Sequence, residues 1–169
     1  RSQRLYDDTA VACIGNFLLY VWQDGTSIRA QLVDATTRAY IKTWLSVCND
    51  YSCNAFAFPQ IIVYDNAFYL FFRACLNTGG ERVIMKILDT EDLSSDFSAD
   101  IDVQTMGNYL PFAVDTAGNG NFVIAYGATV SDGYEGVKIC QRALTAPAVN
   151  TYSYDDTTPA SAVSYIAIT

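Results

Sequence analysis

The sequence predicts an all-β fold built from about three copies of a four-stranded antiparallel unit, and three observations carry that prediction. First, short runs rich in aromatic and β-branched residues, at 17–22, 68–72 and 122–126, are bounded by Gly, Asn and Asp. Such runs read as strands separated by tight turns. Second, the runs recur, because Ile14, Tyr64 and Val114 stand at successive offsets of 50 and each precedes Gly15, Asp65 or Asp115. Third, every period holds room for four short strands and shows no helical spacing of apolar residues.

A period near 50 with four strands per unit is that of a β-propeller blade. Blades pack between neighbours, so their inner strands are apolar on both faces, which explains continuous runs where a one-sided sheet would alternate. Three blades are fewer than the four to eight of a closed ring. The expected architecture is therefore a segment of a larger ring. Its divisions are the end of a preceding element at 1–8, blade 1 at 9–50, blade 2 at 51–104, blade 3 at 105–155, and the start of a further strand or blade at 156–169.

In order, the first pass places strands at 9–16, 17–25, 27–34 and 40–47, with turns at Gly15-Asn16, Asp24-Gly25 and 34–37. The second places them at 59–65, 68–73 and 82–89, with a poorly marked fourth within 97–103. The third places them at 109–115, 122–126 and 136–144, with a weaker fourth near 149–154. Residues 161–168 read as a first strand without a successor. Trp22, Phe72 and Tyr126 close the second strands at offsets of 50 and then 54. The four extra residues are assigned to the turn between Asp115 and Asn121, where added length costs little closure entropy.

Composition excludes several function classes. Hydrophobic residues make up 51% and charged residues 17% of 169, enough apolar content for a packed core. The net charge of −8, with ten scattered basic residues, argues against nucleic acid, which needs Lys and Arg to replace phosphate counterions. No apolar run reaches the 18 or so residues that span a bilayer as a helix, so no membrane insertion is expected.

Five cysteines cannot all pair within one chain. Cys13, Cys75 and Cys140 lie in apolar strand patterns and read as small buried hydrophobes. Cys48 and Cys53 flank the polar 49–52 stretch, where a loop disulfide is the alternative to five reduced thiols. Zinc is rejected, because the chain has no His and no Cys-x2-Cys pair. Without His there is no Ser-His-Asp or Cys-His pair either.

The third unit, Pro111-Phe-Ala-Val-Asp115 followed by Gly120-Asn-Phe-Val-Ile-Ala-Tyr126 and then Gln141-Arg142, resembles the P-x-V-A-x-D / G-N-F-V-V-A-W repeat of large bacterial surface proteins and phage tail proteins. The first unit matches through Gly15-Asn16-Phe17, Val21-Trp22 and Ile28 to Gln31, and the second in pattern, with Lys86 where that family prefers Gln. The resemblance implies a scaffolding or binding propeller. On it rests the expected function: a noncatalytic structural or interaction module of a larger assembly, most plausibly a phage tail component. The expected location is the virion, the exterior or the cell surface.

Candidate sites follow from residue chemistry. Tyr51, Tyr134, Tyr152 and Tyr154 lie in or near expected loops, where aromatics bring rigid area with a polar tip to a glycan or receptor. Ordinary packing is the competing reading. Asp115, Asn119 and Asn121 could offer oxygens to Ca²⁺, against a plain hairpin turn. Arg29, Arg73, Arg82 and Arg142, with Tyr20, Tyr69 and Tyr126, invite a sialidase-like carboxylate clamp, although Arg29 and Arg82 alternate outward. Asp7-Asp8, Glu91-Asp92 and Asp155-Asp156 read as solvated turns. No catalytic residue and no cofactor is assigned; the expected partners are flanking blades or other subunits, and the alternative function is a propeller glycosidase or lectin.

Overall fold

The computed structural model describes residues 9–46, 53–77, 81–90, 93, 98–101, 112–131 and 134–160. They form twelve strands and no helix among the described residues. Sheet 1 holds β1 (Thr9–Ile14), β2 (Phe17–Asp24), β3 (Ser27–Asp34) and β4 (Tyr40–Ser46). Sheet 2 holds β5 (Cys53–Tyr64), β6 (Ala67–Leu76), β7 (Glu81–Leu88) and β8 (Ser98–Ile101), and sheet 3 holds β9 (Phe112–Gly118), β10 (Asn121–Ser131), β11 (Tyr134–Ala143) and β12 (Ala146–Ala160). Every sheet is antiparallel, in chain order, with no strand exchanged between sheets. The first strands meet at the centre, where β5 touches both β1 and β9. This is a β-propeller segment of three four-stranded blades.

The hairpins form where the sequence permits positive φ. Asp65 (46°) and Asn66 (58°) are both left-handed, as a two-residue type I′ turn requires. Asn119 (51°) and Gly120 (73°) repeat it in sheet 3, whereas at the corresponding turn of sheet 1 Gly15 is left-handed at 55° and Asn16 is not. A backbone bond then ties the first hairpin turn of a sheet to its third strand's end: Ala35 N–H donates to Asn16 O (2.7 Å), and Leu144 N–H to Gly120 O (2.8 Å).

Two cores lie between the sheets. In the first, Leu19, Val21, Ile28, Ala30 and Leu32 of sheet 1 pack on Phe68, Leu70, Phe72, Ile84 and Leu88 of sheet 2. In the second, Phe71, Val83, Met85 and Ile101 of sheet 2 pack on Phe122, Ile124, Tyr126 and Cys140 of sheet 3. Strand β6 thus sends alternate side chains into opposite cores, and Phe68, Phe71 and Phe72 are all fully buried. Edge-on contact between Phe56 and Phe72 (5.8 Å) braces one side, and Phe71 against Phe122 (5.1 Å) the other.

Polar bridges supplement the cores. Phe56 N–H donates to Thr26 O at 3.0 Å, joining sheets 1 and 2. The Gln60 carboxamide joins sheets 2 and 3, donating to Phe112 O (2.6 Å) and accepting from Val114 N–H (2.9 Å).

The structure departs from the sequence reading in three elements. The four extra residues of the third unit do not sit in its turn. Strand β9 runs on to Gly118, which pairs with Asn121, and a bulge falls between Asn121 and Phe122 in the pairing. Gly118, and not Val114, therefore takes the place of Ile14 and Tyr64 beside the turn; the bulge absorbs one of the four added residues without breaking the ladder, and the other three precede Ala113 in the chain. Strand β5 begins at Cys53, six residues before expectation, and passes Pro59 by a register shift between Ala57 and Gln60. Strand β12 continues to Ala160, so Asp155 and Asp156 lie opposite Lys138 and Val137 in a ladder instead of in a turn.

Truncating Phe71→Ala removes a ring that the Val83–Met85 wall cannot replace. We expect a loss of about 3–5 kcal/mol in stability, measured by urea unfolding of the full-length polypeptide.

Candidate functional site

Where the sheets end at Cys53, Leu76 and Glu81, a buried charged cluster gathers on sheet 2. Register places it: Cys53 faces Leu76, and Cys75 faces Glu81 across β6 and β7. Arg73 Nε lies 3.4 Å from Glu81 Oε2, and both side chains are 3% exposed. That separation is longer than a charge-assisted hydrogen bond of about 2.7–2.9 Å. The Arg73 guanidinium stacks over the Phe58 ring at 4.3 Å, which shields its flat face.

Phe58 is the strained member. It adopts φ 54° immediately before Pro59, where an L residue is crowded twice, by its own Cβ and by the proline ring. The strain is held by the shift in β5 and coincides with the ring that Arg73 covers. Backbone strain of this kind collects at functional positions.

Cys75 Sγ–H donates to Glu81 Oε1 at 3.5 Å. Burial first, and the Glu81 charge second, push its thiol above the ordinary value. It is therefore a proton donor to the carboxylate and not a thiolate nucleophile. Arg82 alternates to the opposite face, where its Nη2 approaches Cys53 Sγ at 4.0 Å, and it is half-buried, not outward as expected. Cys53 lies in a strand, β5; Cys48 lies outside the described residues.

The remaining predicted residues do not converge. Arg29 pairs with Asp24 at 2.7 Å in sheet 1, and Arg142 Nη1 donates to Pro147 O at 2.8 Å in sheet 3. The four arginines of the proposed clamp are thus spread over three sheets. Tyr126 is buried, with its hydroxyl 4.0 Å from Cys140 Sγ. Tyr69 is raised in pKa by burial, then by Asp65.

Of the loop tyrosines, Tyr51 lies outside the described residues. Tyr134 begins β11, and Tyr152 and Tyr154 stand within β12 opposite Gln141 and Ile139. They belong to ladders and not to loops. Of the carboxylate pairs, Asp7-Asp8 and Glu91-Asp92 lie outside the described residues.

The Asp115, Asn119 and Asn121 group forms a hairpin. Asp115 Oδ1 accepts from Thr116 N–H at 2.7 Å, and Asn121 Nδ2 donates to Gly118 O and Asn119 O, each at 3.3 Å. Sequence reasoning missed Glu81 and Phe58. The Glu81 signal was faint: an acidic residue opening an apolar strand after 77–80.

No family model matches the sequence, and no curated protein does. Solved structures do share the fold. A thermostable family-43 glycoside hydrolase aligns at TM-score 0.60 with 12% identity over 91% of this chain and 53% of its own. A GH43_1 enzyme from Xanthomonas citri, complexed with xylose, aligns at 0.55 with 10% identity over 88% of this chain and 54% of its own. The chain spans about half the length of these enzymes. This overturns the expectation of a noncatalytic protein: the propellers this chain is similar to are enzymes, and nothing in the fold or in the comparisons bears on a phage tail.

Removing one partner of the buried pair strands the other. Glu81→Ala should cost about 3–5 kcal/mol, whereas Arg73→Met with Glu81→Leu should recover most of it, both read from denaturant midpoints. The alkaline limb tests Cys75 separately. Its folded pKa is raised, so the associated stability is full below the unfolded thiol value of about 8.5 and falls as pH climbs through the folded one. Cys75→Ala should flatten that decline in thermal melts.

Proposed function

We propose that this chain forms part of a β-propeller glycoside hydrolase that cleaves a glycosidic bond in a polymeric carbohydrate, with the rest of the active site supplied by further blades. The observation that carries the reading is the fold likeness to two glycoside hydrolases across about nine-tenths of the chain. Fold alone does not fix chemistry. The strained, charged end of sheet 2 adds a site-level reason.

Glycoside hydrolysis generally uses two carboxyl groups, one protonating the leaving oxygen and one acting on the anomeric centre or on water. Glu81 is the carboxyl group this chain brings. It sits between a guanidinium and a thiol donor, a setting that fixes its rotamer and holds a proton donor beside it. Arg73, locked by Phe58 and Glu81, serves as a positioning residue. The second carboxyl group comes from blades beyond these three. An extracellular or cell-surface setting, where polymeric glycans are met, accords with this reading.

The full-length polypeptide should release reducing sugar from at least one of a panel of xylans, arabinans and aryl glycosides. Glu81→Gln, which keeps the shape, should lower kcat about 10²–10⁴-fold with little change in KM, together with the fall in melting temperature that an uncompensated buried Arg73 brings. A panel with no hydrolysis removes the hydrolase reading. Undiminished turnover by Glu81→Gln removes Glu81 from it.

A further inference from the structure

Strand β5 carries an irregularity on which the buried pair of sheet 2 leans. Ala57 pairs with Arg73 and Gln60 with Phe71, so Phe58 and Pro59 together stand against Phe72. This is a bulge, which re-aims a side chain out of the regular alternation of a strand. Here it brings the Phe58 ring onto the second core and beneath the Arg73 guanidinium, 4.3 Å away. The backbone that does so is strained, with φ 54° at a residue preceding proline. Such a conformation persists only where the surrounding structure over-determines it.

The ladder to β6 holds the bulge along one edge. Gln60 holds it along the other. Its carboxamide donates to Phe112 O at 2.6 Å and accepts from Val114 N–H at 2.9 Å. Both ends of one planar group are thus fixed to the backbone of β9, two residues from the strained position. Sheet 1 supplies the comparison, because β1 pairs with β2 without a register shift and has Ala10 at the 50-residue offset from Gln60. The bulge and the carboxamide occur together in sheet 2 and are both missing from the equivalent part of sheet 1.

We propose that Gln60 is a positioning residue for Glu81: by anchoring the bulge to β9 it holds the Phe58 ring beneath Arg73, and Arg73 in turn holds the carboxyl group. The catalytic part of this rests on the hydrolase reading; the mechanical linkage does not. The ring is needed because Arg73 Nε stands 3.4 Å from Glu81 Oε2, too far for a tight charge-assisted bond to orient the guanidinium by itself. A stacked aromatic face supplies the missing constraint. The carboxyl group of sheet 2 is therefore set by the junction with sheet 3, and any shift of β9 against β5 is passed to it through Gln60, Phe58 and Arg73.

Gln60→Met keeps the length of the side chain and removes both bonds. In the full-length polypeptide, assayed well below its melting temperature, it should lower kcat at least about tenfold with KM within about twofold, the split expected of lost geometry and retained binding. Phe58→Leu should do the same, and the double variant should fall no more than about twofold below the poorer single, because both break one linkage. A kcat for Gln60→Met within about twofold of the parent, or losses that multiply in the double variant, overturns the proposal and leaves the hydrolase reading standing. Should Gln60→Met fail to fold, Gln60→Glu, which keeps the bond from Val114 and loses the one to Phe112, takes its place in the cycle. If the parent cleaves nothing, the hydrolase reading falls, and the linkage is decided by urea midpoints of Gln60→Met, Arg73→Met and their double. Non-additive shifts support it and additive ones overturn it.

Discussion

Everything in this molecule depends on the need of each sheet to be apolar on both faces at once. Strand β6 shows the constraint most sharply. Phe68, Leu70 and Phe72 point one way and Phe71 the other, and all are fully buried. Neither core could exist without the other, because a sheet with one such face in water would expose several aromatic side chains, each worth about 1.5–3 kcal/mol when buried. The sheets therefore stabilise one another serially, as in repeat proteins, where nearest-neighbour interfaces carry much of the stability.

The same constraint explains where charge can go. Sheet interiors leave no room for it, so Arg73 and Glu81 are tolerated only at the sheet's end, as a pair, with a ring beneath the guanidinium. Their burial is compensated by mutual attraction and is destabilising for either alone. Phe58 accepts an unfavourable backbone there. A site for carbohydrate chemistry at this end would inherit rigidity from three side chains that cannot move independently.

Much of the fold was legible in the sequence, and the reasons are physical. The runs 17–22 and 68–72 could be seen because two-sided burial leaves few polar residues to interrupt them, and Asp65-Asn66 because positive φ selects few residue types. The insertion in sheet 3 was misplaced because pairing register, which decides whether added residues fall in a turn, in a bulge or ahead of a strand, is a tertiary property. Pro59 hid the first half of β5 for the same reason. The Arg73–Glu81 pair was invisible since its members become neighbours only once β6 and β7 are aligned. Activity could not be read at all: blade periodicity reports packing, and hydrolases and scaffolds pack alike.

The Gln60 bridge has an implication for how such an assembly grows. A first strand has one edge paired within its own sheet and another facing its neighbour, and unpaired edges invite foreign strands. One carboxamide, offering a donor and an acceptor together to Phe112 and Val114, seals that edge without any strand passing between sheets. Its counterpart at the 50-residue offset is Ala10, whose side chain can make no such bridge. Sheets 2 and 3 are thus joined by one side chain that sheets 1 and 2 do without.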